Sequence, residues 1–407
     1  MSPGEPAALL VDPTDVAAMT AAIRRLATDD ALCADLAARG RTRAACFAAE
    51  GFAARMQAVY AALGIRAGDA VGVDGRNLLL ARPGGVASYA RGVVAALRAI
   101  GAVPVLVSQA MPAGPSAALA VWRGGAAVLG GEMQARAPRD GQCLLHAPGL
   151  FVAADLRVAA TGCMTRLAAG PPPAAMHWTY PVPVVMPGVP NLYTIHDLIP
   201  LLRPVLTGIP ARRMQATIAG VLRHAAHILT VSETVRQEVI GRLGVPPAQV
   251  SNAWQPLDLP DEAAACRAMR TALARHGLAE RGYFLLLGTV ERRKNVGRTI
   301  AAWQASGSAR PLLVVGAAGR GAAAELPAPA PGGLRVLGWQ DRDTVIGLLR
   351  GARALLFASL AEGFGLPAAE AMALGTPVLA AAGGATAEVT GAGPNHFLNI
   401  HTVLKHK

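Results

Sequence analysis

Short apolar runs alternating with Ala-rich stretches of helical spacing set the pattern of this chain. Runs at 283–289, 312–315, 334–337, 354–358 and 378–381 have the length of buried strands, and the segment 368–374 reads as the helix that opens behind the fourth. The same alternation occurs earlier, with strands predicted at 71–74, 103–107, 191–195 and 228–231 and helices at 87–97 and 211–226. Strands alternating with helices predict parallel sheets covered on both faces, so the fold class is α/β.

A chain of 407 residues exceeds one ordinary core and accommodates two domains. The pattern predicts a first strand–helix domain over 71–260 and a second over 280–390. A segment of linker and helix character lies at 258–278, and an Ala/Pro/Gly-rich surface loop at 322–333. Residues 1–64 form a further piece: a buried strand at 7–11, a helix start at 12–15 and three amphipathic helices ending near Tyr60. The second sheet stops early, at Ala381, and this piece is expected to complete it. Residues 391–407 differ abruptly in composition. The chain has three lysines, Lys294, Lys405 and Lys407, and two of them fall in that tail, which is read as foreign to the fold.

The formal net charge of +12 invites a nucleic-acid partner, but the arginines are scattered and no recognition module surrounds them. An anionic substrate or an anionic membrane surface accounts for the sign as well. Cys33, Cys46, Cys143, Cys163 and Cys266 have neither metal-ligand nor disulfide-framework spacing. No apolar run is long enough to span a bilayer and the start lacks a secretory pattern, so the expected location is cytoplasmic, with peripheral contact on the inner membrane face.

Candidate chemistry concentrates at strand ends. Glu362, Gly363, Phe364, Gly365, Leu366 and Pro367 lie between a predicted strand and helix, with Glu370 about one turn into that helix. A helix N-terminus carries unpaired N–H groups that suit a phosphate or a carboxylate with its ligand. Arg293 and Lys294 follow the first strand of the second domain and offer a planar fork and a compact charge to a pyrophosphate. In the first domain, Gly84 and Gly85 permit close backbone approach. His196 and Asp197 follow a predicted strand, where active-site groups of parallel sheets gather. The acidic pair Asp341 and Asp343 is read as helix capping rather than metal binding. Trp178, Tyr180 and Trp254 suit sugar stacking or buried packing equally.

Together these residues resemble the retaining glycosyltransferases of the two-Rossmann-domain, GT-B type, family 4. The hallmark of that family, two glutamates separated by seven residues, matches Glu362 and Glu370, and the surrounding Gly-Phe-Gly-Leu-Pro and Gly-Thr-Pro-Val also match. Residues 288–295 resemble its phosphate-binding segment, with Arg292 in place of a usual proline. Residues 193–197 and 231–233 resemble its first-domain signatures. The match runs from about residue 71 to 390, while residues 4–64 resemble the C-terminal end of the same fold, so the order is rotated. Two explanations stand: the remainder of a tandem polypeptide, or a functional circular permutant.

The resemblance implies two Rossmann-like domains facing a cleft and transfer of a hexose, with mannose as the family-level expectation, from a GDP- or UDP-sugar to a glycan or lipid-linked acceptor. It implies that Arg293 and Lys294 meet the pyrophosphate, Glu370 takes the ribose hydroxyls and Glu362 those of the sugar. Gly84 and Gly85 would let the backbone approach the donor or the acceptor, the backbone at Gly384 and Ala385 would help to place the sugar, and His196 would support the sugar by position and electrostatics. No metal or other cofactor is called for. The competing expectation is an inactive GT-B remnant that binds nucleotide or acts as a scaffold. Among enzymes, an epimerase or a phosphorylase is the rival, but a phosphorylase needs a cofactor lysine and Lys294 lies in the phosphate loop.

Overall fold

The structure is a computed structural model and describes residues 5–78, 84–110, 125, 128–136, 144–328 and 332–392. Cys143 and the tail from 393 onward lie outside the described residues. The chain forms two compact units: unit 1 comprises Met1–Ala48 with Leu259–Lys407, and unit 2 comprises Ala49–Asp258. The predicted piece 1–64 is thus divided between the two units at Ala48.

Its first part contains strand β1 (Leu9–Val11) and helices α1 (Val16–Thr28) and α2 (Asp30–Ala44). Asp15 caps α1 by accepting the Ala18 N–H, and Asp29 caps α2 by accepting the Leu32 N–H, so each helix starts where a carboxylate satisfies an orphan donor. Helix α3 (Ala49–Ala62) belongs to unit 2, where Phe52 meets Tyr89 edge to face at 5.6 Å and the Tyr60 hydroxyl lies 2.7 Å from His177 Nδ1.

Unit 2 continues through β2 (Ala70–Asp74), α4 (Gly85–Ala99), β3 (Val103–Ser108), β4 (Glu132–Ala135), β5 (Leu144–His146), α5 (Leu150–Thr161), β6 (Thr165–Ala169), β7 (Ala175–Trp178), β8 (Val184–Val185) and β9 (Asn191–Ile195). It closes with α6 (Ala211–His224), β10 (His227–Thr230), α7 (Glu233–Leu243) and β11 (Val250–Asn252). A parallel sheet has the order β11-β10-β9-β7-β2-β3-β5, and β4-β6-β8 form a smaller one. Strand β7 sits at the centre of the large sheet although it has four residues and no strand was expected there. Its Ala-Met-His-Trp run lacks a β-branched residue and includes a histidine, so neither propensity nor alternation marked it. Trp178 is fully buried and donates its indole N–H to Asn191 Oδ1 at 2.9 Å, so it is core and not a sugar platform.

Unit 1 resumes with α8 (Glu262–His276), β12 (Phe284–Leu287), α9 (Val296–Ser306), β13 (Leu312–Val315), β14 (Leu334–Gly338), α10 (Arg342–Gly351), β15 (Ala354–Phe357), α11 (Leu366–Ala373), β16 (Val378–Ala381) and α12 (Gly384–Val389). The stretch expected as a loop at 322–333 contains a helical turn at Ala322–Glu325. The sheet order is β1-β16-β15-β12-β13-β14, all parallel, and β1 pairs in register with β16, Leu9 opposite Leu379 and Val11 opposite Ala381. Met19, Ile23, Leu26 and Leu36 share one buried cluster with Phe284, Leu286, Leu356 and Leu379. Polar ties reinforce it: Arg43 donates to the carbonyls of Glu388 and Val389, and the buried Arg353 donates to Leu26 O at 2.6 Å.

Candidate functional site

In unit 1 the candidate residues gather because β12 and β15 are neighbours, which brings the turns after them together. The first turn is Arg292–Lys294, the second holds Glu362. Lys294 Nζ donates to Glu362 Oε1 at 2.6 Å, and Arg293 donates to Glu362 Oε2 at 2.8 Å. Gly288 has φ 137, and a Cβ there would stand 3.1 Å from Lys294 Cε, so glycine lets the lysine lie against the strand end. The ammonium also lies 5.2 Å from the centroid of the Phe357 ring. Burial alone would raise the Glu362 carboxyl, but the charges of Lys294 and Arg293 and hydrogen bonds from Lys294 and Ser359 outweigh it and keep it ionised. Burial pulls the Lys294 ammonium below the usual lysine value, and Glu362 opposes that pull.

The two cations are not equivalent. Arg293 donates twice to Glu291 Oε1, once to Ala361 O and once to Glu362, so most of its fork braces the loops. Asn295 adds a second brace: it is buried with φ 57, and its amide donates to Pro13 O at 2.6 Å and Ala358 O at 3.0 Å, tying the turn before α1 to this loop.

Glu370 lies on α11 and is 2% exposed. Arg342, the first residue of α10, holds it with two hydrogen bonds at 2.7 and 3.0 Å. This partner was not anticipated, since nothing local in the sequence links positions 342 and 370. The neighbouring Asp341 does cap α10, accepting from Thr344 N–H at 2.9 Å. Charge-assisted hydrogen bonds to a buried carboxylate are each worth about 1.5–3 kcal/mol. Two such bonds would sum to more, but the Arg342 side chain is 39% exposed and water screens the pair, so Arg342→Ala is expected to destabilise unit 1 by about 2 kcal/mol, read as a lower urea midpoint. Gly365 precedes α11 with φ 100, a backbone state that suits glycine, and packs against Thr386 of α12. Gly384 opens α12 with φ 62, and Ala385 is buried.

In unit 2, Gly84 is the exposed N-cap residue of α4, and the Gly85 carbonyl accepts from Gln255 at 3.0 Å. His196 follows β9 and is 8% exposed, with Tyr89 edge-on at 5.0 Å and Tyr180 stacked at 6.1 Å. Its Nε2 lies 2.8 Å from the Thr179 carbonyl, an acceptor only, so Nε2 carries the proton. Asp197 accepts the Ile199 N–H at 2.9 Å and shapes the next turn. Thr179 in turn donates its hydroxyl to Asp74 Oδ1 at 2.6 Å and its N–H to Oδ2 at 2.8 Å. Neither Asp74 nor Thr179 was singled out from the sequence, although Asp74 ends a predicted strand and that position was a usable signal. Ser232, in a first-domain signature, caps α7 by accepting the Val235 N–H.

Burial lowers the imidazoles, His177 to about 3 and His196 to about 4, and raises the Asp74 carboxyl to about 6 against the hydrogen bonds of Thr179. Below pH 6.5 the unfolded chain protonates both histidines while the folded chain does not, so stability falls with pH by about 1.4 kcal/mol per unit for each. Asp74 runs the other way between pH 6 and 4, because its folded form binds the proton more tightly. The net expectation is a loss of about 2 kcal/mol for unit 2 between pH 6.5 and 5, and a steeper loss in Asp74→Asn, both measured by urea unfolding.

Among the described residues, no three His, Cys, Asp or Glu side chains gather as a metal site, and no helix is long and apolar enough to cross a membrane.

Residues 271–400 match the family model of glycosyl transferases group 1. Over 186 residues the chain is 31% identical to O-antigen chain mannosyltransferase B of Escherichia coli, which covers 41% of this chain and 46% of that protein. It is 29% identical over 214 residues to the serotype-specific mannosyltransferase WbdA of Escherichia coli, 46% of this chain and 25% of that one. The chain thus matches less than half the length of these relatives. Among solved structures, Anabaena Alr3699/HepE, in complex with UDP and glucose, superposes with a TM-score of 0.52 at 14% identity, covering 79% of this chain and 82% of that one. Sucrose-phosphate synthase from Thermosynechococcus elongatus gives 0.51 at 18% identity, covering 77% and 81%. The fold is an α/β architecture of parallel sheets of the GT-B glycosyltransferase type.

Proposed function

We propose that the chain is a retaining glycosyltransferase of the family 4 type, moving a hexose from a nucleotide-sugar to a glycan or lipid-linked acceptor. The carrying observation is the buried Lys294–Glu362–Arg293 cluster on the turns after β12 and β15. The names of the relatives support mannose as the sugar, and the matched family model supports the transferase class. The pairing of β1 with β16 supports a rotated chain order in which residues 9–11 complete the sheet of the donor unit.

When the bond between the anomeric carbon and the phosphate oxygen breaks, charge grows on the pyrophosphate. Lys294, with one N–H on Glu362 and a side chain 10% exposed, is the cation best placed to meet that charge, and Arg293 fixes the loop that carries it. Glu362 accepts hydroxyls of the sugar and Glu370 those of the ribose, the latter sharing its carboxylate with Arg342. The acceptor oxygen attacks the face the leaving group departs from and passes its proton to a phosphate oxygen. Positive charge comes from Lys294, and the scheme needs no metal. On unit 2, neutral His196 presents Nδ1 as an acceptor for a substrate hydroxyl.

The test is slow donor hydrolysis followed by NMR with GDP-mannose and UDP-glucose. The expected first product keeps the anomeric configuration of the donor. An inverted product contradicts retention, and absence of any turnover by folded protein favours an inactive GT-B chain.

A further inference from the structure

Three adjacent parallel strands of unit 2 end close together, β2 at Asp74, β7 at Trp178 and β9 two residues further on at Ile195. Val73 of β2 is opposite His177 of β7, and Trp178 of β7 is opposite Tyr193 of β9. Asp74 is therefore level with Trp178, Thr179 stands one position beyond and His196 two positions beyond that, so the three residues form a stagger past the strand ends, joined by hydrogen bonds. Asp74 and Thr179 are fully buried, and Asp74 accepts from the Thr179 hydroxyl at Oδ1, from the Thr179 N–H at Oδ2, and from the backbone N–H of the next residue, Tyr180. The first two fix the Thr179 side chain and the peptide before it, and the Tyr180 N–H shares its peptide plane with the Thr179 carbonyl, which in a trans peptide points the opposite way. That carbonyl is the group that takes the His196 Nε2 proton at 2.8 Å.

We infer that Asp74 is a positioning residue for His196: by holding Thr179 and the peptide that follows it, Asp74 aims the Thr179 carbonyl at Nε2, and so fixes the imidazole in the tautomer whose Nδ1 accepts a hydrogen bond. A buried carboxylate serving packing alone needs only satisfied oxygens. Here they hold the Thr179 side chain and both peptide groups that flank it, the second of which carries the carbonyl that orients the ring. The site therefore takes a ligand that donates, a hydroxyl rather than an anion. This rests on the reading of His196 as a substrate-contacting group.

The experiment is nitrogen NMR of the full chain labelled in histidine, with His196→Gln to assign the signal. Wild type and Thr179→Ser, which keeps the hydroxyl, are expected to show His196 as a single tautomer, Nε2 protonated and Nδ1 bare. Asp74→Asn, which turns an acceptor into a donor, and Thr179→Val, which deletes the hydroxyl, are expected to lose that pattern, the two nitrogen shifts moving toward a common averaged value. In the same variants kcat is expected to fall about tenfold or more with donor KM within about twofold. Folded Thr179→Val or Asp74→Asn protein with an unchanged His196 tautomer overturns the inference, and the isosteric valine variant carries the test if the asparagine variant does not fold. The NMR signature needs no turnover. Failure of the transferase reading therefore shows separately, as a wild type without activity but with the tautomer pattern intact.

Discussion

Lys294→Ala is expected to lower transfer by about 10²- to 10³-fold, the loss that follows removal of one preorganised group facing growing charge. Its fold survives, because Glu362 keeps Arg293 as a counter-ion at 2.8 Å. Arg293→Ala is expected to behave differently. It removes the ties to Glu291, Ala361 and Glu362 at once, so a lower melting temperature accompanies its lost activity. Steady-state rates and thermal melts of both variants check the contrast. If the two lost activity equally and neither lost stability, the division of labour between the cations would be wrong.

Removal of residues 1–48 is expected to leave no soluble unit 1. Met19, Ile23, Leu26 and Leu36 each contribute about 1.5–3 kcal/mol by burial. Their sum is comparable to the whole net stability of a domain, about 5–15 kcal/mol. The deletion also uncovers β16 as an unpaired parallel edge and strips Asn295 of its Pro13 acceptor. Size-exclusion chromatography of the truncated chain checks this. A monodisperse product with an intact thermal transition for unit 1 would mean that the β1–α2 segment is an appendage.

Much of the architecture was legible because it is written locally. Strands β12, β13, β15 and β16 are apolar on both faces, and the Ala-rich helices keep their spacing, so the α/β class and the missing edge after Ala381 could be read directly. Lys294 and Glu362, 68 positions apart, were each placed in a loop after a predicted strand, but the direct ion pair between them was not read from the sequence. What escaped was whatever depends on which neighbours the fold supplies. Strand β7, Ala-Met-His-Trp, lacks a β-branched residue and is interrupted by a histidine, so it did not stand out, and with it went Thr179. The Arg342–Glu370 pair joins the starts of two helices whose relative placement no local pattern encodes. Arg293 was placed by residue type on the pyrophosphate, and its bonds to Glu291 and Ala361, which tie the loops together, were not anticipated.

The central claim is that the Lys294–Glu362 cluster receives a nucleotide-sugar. Calorimetric titration of the full chain and of Lys294→Ala with GDP-mannose, UDP-glucose and UDP-N-acetylglucosamine tests it most directly. The account expects saturable one-to-one binding of one donor by the wild-type chain and a marked loss of that binding in the variant. Folded, monodisperse wild-type protein that binds none of the three, or binding that the substitution leaves unchanged, would contradict it.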